Sequence, residues 1–128
     1  MKKILAEISL GELADKITIL EIKMDKIINK ESLITIKKEY QSLKSINIEI
    51  INLEEYKKLF NDLKLINVKL WDIENEKRLL EKNSDFGDKF IQVSRDVHFM
   101  NDKRANIKKE INRSFGSNIQ EAKEYTKY

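Results

Sequence analysis

Ser94, His98 and Asp102 stand four residues apart, in the chain order of a hydrolase triad. That spacing puts a hydroxyl, an imidazole and a carboxylate on one helix face. The chemistry fails at its next requirement. Acyl transfer needs free backbone N–H groups beside the nucleophile, and a serine inside a helix has none, because those groups are bonded within the helix. No Gly-x-Ser-x-Gly turn is present. His98, the only histidine, reads as a partly exposed residue beside Asp102.

Two isolated charges say more. On a wheel of about 100° per residue, Glu21 borders an apolar stripe, and its neighbours three and four away are Ile17, Thr18, Met24 and Asp25. None is cationic. Arg104 takes the stripe position between Met100 and Ile107, with Asn101 and Lys108 as its other neighbours, and none is acidic. A charge withdrawn from water must be paired or change its ionisation state. The simplest expectation is that Glu21 meets Arg104, with Ala14 and Ala105 letting their helices approach.

A third cluster lies along "NVKLWDIENEKR". Asn67, Glu74 and Arg78 fall near an apolar arc with Trp71 at its edge, and Glu74 precedes Arg78 by four in the favourable order for an ion pair. Two readings stand. In one, a buried Glu–Arg pair fixes helix register. In the other, a polar cleft between helices holds a small anion. There Arg78, Arg104 and Lys108 supply cations, Asn67 and Asn101 orient, Trp71 forms an apolar wall, and Glu21 and Glu74 complete the lining. Arg95, Asp102, Lys109 and Arg113 instead fall together opposite the stripe, as a solvated face.

Other chemistries lack their residues. Without cysteine there is no disulfide, redox thiol or thiolate-held metal, and no HExxH, His pair or EF-hand loop appears. The three glycines are isolated, so no loop cradles phosphate. No metal or cofactor is expected. A net charge of +3, from 25 basic and 22 acidic residues, does not point to nucleic acid. "NDKRANIKKEINR" is locally basic but carries Asp102 and Glu110, and matches no recognition helix. No apolar run reaches membrane-span length and no cleavage pattern follows "MKKILAEISL", so a cytoplasmic protein without a membrane partner is expected.

Positioning these residues falls to helices. Zero prolines and 37% charged residues favour long helices over turn-rich structure. At 128 residues, one helical domain over 1–128 is expected. Ser9 and Glu12 form a capping box for a first helix running from Leu10 to Ile28. Ser32 reads as the cap of a second, with a stripe of Leu33, Ile36, Tyr40, Leu43 and Ile50 that Asn47 interrupts. Asn52 and Glu55 form a second capping box, opening a helix to Lys82. Asp85 reads as the cap of a fourth helix, which Gly116 ends. The fold class is therefore all-α, a long antiparallel hairpin packed with the N-terminal helix into a small bundle. A short extended segment over 3–9, paired with a second copy, and a short last helix over 118–125 are further expectations.

The stretches "GELADKITILEIK", "LWDIENEKR", "FIQVSRDVHFMNDKRANIKKEIN" and "GSNIQEAKEY" together resemble a family of small uncharacterised bacterial proteins, classed as a domain of unknown function. The resemblance covers nearly the whole chain and carries no catalytic residues. It implies a partner or ligand in a surface-polysaccharide or glycosyltransferase pathway, such as a nucleotide sugar. Continuous apolar stripes and balanced charge favour a homodimeric interaction or accessory module without catalysis. The alternative is a small helical binder or enzyme acting on a nucleotide sugar or dicarboxylate in the Arg/Glu-lined cleft.

Overall fold

A computed structural model describes residues 1–46 and 53–128. Four helices follow in order: α1 (Leu10–Lys26), α2 (Lys30–Lys44), α3 (Glu54–Lys82) and α4 (Asp88–Ser114). No strand occurs among the described residues.

The first helix begins where its cap requires. Ser9 Oγ accepts the Glu12 N–H at 3.1 Å. The two amides between them are bonded from the far end of the chain, Leu10 N–H by Ser117 Oγ at 3.1 Å and Gly11 N–H by Asn112 Oδ1 at 2.7 Å. These otherwise orphaned first-turn donors thereby tie α1 to the end of α4. The crossing is close: a Cβ on Gly11 would lie 2.5 Å from the Lys108 carbonyl oxygen. Ala14, where a close approach was expected, is fully buried against Tyr56, Leu63 and Ile111.

Other boundaries differ from the sequence reading for local reasons. Asn29, not Ser32, caps α2, because its side chain accepts the Ser32 N–H at 2.9 Å and draws Lys30 and Glu31 into the first turn. Asn47, Ile50 and Asn52 lie outside the described residues. Leu53 precedes α3 without a side-chain cap bond. Asp85 does not cap α4. Its N–H bonds the Leu80 carbonyl at 2.9 Å, closing α3, and its carboxylate accepts the Gly87 N–H at 3.3 Å. Ser84 takes the left-handed position of that turn, at φ +52°.

Gly116 ends α4 as expected. With φ +63° it lets the Ser117 N–H reach the Asn112 carbonyl at 2.8 Å, which satisfies a terminal acceptor. No helix follows over 118–125. That segment is held to the bundle by side-chain contacts, such as Glu121 to Lys108 of α4 at 3.2 Å, and so short a helix nucleates poorly by itself. Residues 1–9 form no strand, and Ile4 and Leu5 project from the bundle unpaired.

Packing centres on α1, which touches α2, α3 and α4. The long helices α3 and α4 pair as a hairpin, whereas α2 packs on α1 alone. Leu13, Ala14, Ile17, Leu20 and Ile22 are all buried, so α1 is apolar around much of its circumference.

Candidate functional site

Because α1 is enclosed, its polar residues must be answered by neighbouring helices. Asp15 is only 5% exposed. Asn67 of α3 donates through Nδ2 to Asp15 Oδ1 at 2.8 Å and to Thr18 Oγ1 at 2.9 Å, while Thr18 Oγ1 donates to the Asp15 carbonyl at 2.8 Å. From α4, Lys108 brings its ammonium to Glu12 at 2.8 Å, to Glu121 at 3.2 Å and to Asp15 at 3.7 Å. Glu12 thus leaves the reciprocal half of its capping box for Lys108. Burial pulls the Lys108 pKa down, but the bond to Glu12 and the charges of Asp15 and Glu12 outweigh it, and the pKa is raised. Burial likewise opposes ionisation of Glu121, and the two lysines beside it outweigh that effect, so its pKa is lowered. Lys108 is a locked cation and a poor nucleophile. It lines a depression of about 430 Å³ with Asn112 and Glu121.

Glu21 has other partners than expected. Its Oε1 accepts from Lys64 of α3 at 3.0 Å and its Oε2 from the Tyr40 hydroxyl of α2 at 3.2 Å, with Lys44 donating in turn to Tyr40 at 2.9 Å. Glu21 therefore does not pair with Arg104. The sequence wheel identified the charge that needed an answer, but the answer comes from α2 and α3, the helices packed against that turn of α1. Tyr56, which lines a depression of about 320 Å³ with Glu21 and Lys44, is pushed up to about 12 by burial and, next, by the Glu21 charge.

The expected cleft is assembled in part. Asn67, Trp71, Glu74, Arg78 and Arg104 line one depression of about 330 Å³, walled by Ile19 and Leu70. Neither arginine forms an ion pair among the described residues, and the expected Glu74–Arg78 pair is not made. Asn101 lies in an adjoining depression of about 370 Å³, which Arg104 also lines, together with His98, Asp102 and Lys123. Glu21 and Lys108 stand apart from this pair of depressions.

The triad spacing on α4 does not assemble. Ser94 Oγ is buried without a hydrogen-bond partner among the described residues, the His98 ring packs on Phe99 and Tyr128, and Asp102 accepts from the Tyr128 hydroxyl. Arg95, Asp102, Lys109 and Arg113 are exposed, and Arg113 pairs with Glu110 at 2.7 Å. Among the described residues no group of three or more His, Asp or Glu is placed to hold a metal ion; the carboxylates that converge surround Lys108.

A family model described as "Family of unknown function (DUF6165)" matches residues 3–128. The chain belongs to this family. No curated protein and no solved structure matches it.

Sequence reasoning missed Asp15. Its neighbours at three and four are Gly11, Glu12, Thr18 and Ile19, again without a cation, but on the wheel Asp15 lies opposite the apolar stripe, where a solvated charge is expected. Only the packing of three helices around α1 buries that face.

Proposed function

We propose that the chain binds a small anionic molecule in the depression between α3 and α4, at Arg78 and Arg104, and that it acts without chemistry of its own. One observation carries this reading: Arg78 and Arg104 line one depression, and among the described residues no carboxylate, Glu74 beside them included, is paired with either. Arg104 is half-buried there, where an unanswered charge is costly. A planar five-donor group is suited to a phosphate or carboxylate, and Trp71 offers a flat apolar wall beside it. The family resemblance supports a nucleotide sugar as the anion, in a bacterial setting.

Thermal unfolding of the parent and of Arg104→Met, with a panel of phosphates, dicarboxylates and nucleotide sugars, tests the reading. Arg104→Met keeps or raises the melting temperature without ligand and loses the stabilisation that the anion gives the parent. Binding at about 100 times the Kd stabilises by about 2.7 kcal/mol, so the response is well within range. A flat response of the parent across the panel would defeat the proposal.

A second reading, a homodimeric accessory module, is favoured by a separate observation. Ile34, Leu65, Leu79, Phe86 and Ile91 are exposed on the helices and the turn between α3 and α4, as are Ile4 and Leu5 on the N-terminal segment. Light scattering on the eluting protein at micromolar concentration distinguishes the two readings, since a strict monomer removes the second.

A further inference from the structure

Arg104 lines two depressions, and the second is built partly from outside the helices. Beyond Gly116 the chain turns back along α4. Glu121 reaches Lys108 at 3.2 Å, and the Tyr128 ring packs 4.9 Å from His98 and 5.2 Å from Phe99, its hydroxyl on Asp102. The segment brings Lys123, Tyr125 and Tyr128 to the depression that α4 lines with Asn101 and Arg104. The acid of that depression, Asp102, is engaged by Tyr128, and among the described residues Lys123 pairs only with Glu121 of its own segment, at 3.4 Å. Cationic and amide donors therefore line both sides of Arg104, with Glu74 the carboxylate on the first side and Asp102 that on the second.

We propose that the two depressions are halves of one site for a ligand carrying two anionic groups, and that the C-terminal segment is the clasp that completes its second half. This rests on the anion-binding reading of the first depression. One anionic group sits between Arg78 and Arg104, and the other between Arg104 and Lys123, with the tyrosines covering it. Joining two modest subsites raises affinity through effective concentration, which a single anion cannot exploit. The clasp is held mainly by polar and ring-edge contacts, so it can open for the ligand and close again without disturbing the core.

Isothermal titration of the full chain with inorganic phosphate and inorganic tripolyphosphate, at fixed ionic strength, tests this. The parent binds tripolyphosphate at least about tenfold more tightly than phosphate. Lys123→Gln removes most of that advantage while phosphate binding is kept, and Arg78→Gln weakens both probes. Lys103→Gln, the same charge loss at an exposed α4 position outside both depressions, changes neither. Carboxypeptidase trimming of the C-terminus slows in tripolyphosphate and not in phosphate. If Lys123→Gln behaves like Lys103→Gln while Arg78→Gln still weakens binding, the clasp is overturned and the first depression stands. If Arg78→Gln is silent, the anion reading itself fails and the two-ended ligand fails with it. Absence of binding by the parent overturns both.

Discussion

Lys108 and Asp15 show what a single side chain decides in this protein. Asp15 is buried with one oxygen held by Asn67, and Lys108 supplies its nearest cation, 3.7 Å away. Removing one partner of a buried pair strands the other, which costs about 3–5 kcal/mol. Lys108→Met should therefore unfold at lower denaturant by an amount in that range, with an unchanged m-value. Asp15→Asn in the same background should recover part of the loss, because the stranded charge is gone. Additive effects of the two substitutions in a double-mutant cycle would show that they do not interact. The Glu21 side chain is instead 21% exposed and answered by a partly exposed lysine and a tyrosine, so Glu21→Gln should cost less.

At the scale of elements, the junction of α1 with α4 controls the assembly. Three consecutive α1 amides are bonded by Ser9, Asn112 and Ser117, and Gly11 admits the α4 backbone where any side chain would collide. Gly11→Ala offers a better helix former, and by propensity alone it would stabilise α1 by about 1 kcal/mol. The collision with the Lys108 carbonyl, a backbone atom, should win, because overpacking costs about 1–3 kcal/mol and here also disturbs the Asn112 bond. A lower melting temperature for Gly11→Ala is the expected result; a higher one would mean that α1 and α4 separate without penalty. Helix ends set by a local cap, such as Ser9 and Gly116, were legible in the chain. Those decided by competition were not, as where Asn29 outruns Ser32 or the α3 terminus claims Asp85.

Across the whole molecule, burial is uneven. Helix α1 is flanked by the other three and carries eight buried residues, Gly11, Leu13, Ala14, Asp15, Ile17, Thr18, Leu20 and Ile22. Helix α2 packs on α1 alone and buries only Ile36. Hydrogen exchange should follow this difference. Amides in the middle of α1 should exchange only through global unfolding, and those of α2 through local opening at lower free energy. Equal protection of both helices would require contacts to α2 beyond those described.

The sequence by itself determined the helical class, the stripe of α1, the solvated face of α4 and the fact that Glu21 and Arg104 each lacked a local partner. These follow from periodicity and from spacings within one helix, which the chain carries explicitly. Only the tertiary structure decided who answers each charge: Lys64 and Tyr40 for Glu21, Asn67 and Lys108 for Asp15, and no carboxylate among the described residues for Arg104. The physical reason is geometric. A wheel gives the angle of a residue about its own axis. The neighbour it meets depends on where helices cross, and here the crossing is set by the space that Gly11 leaves for α4.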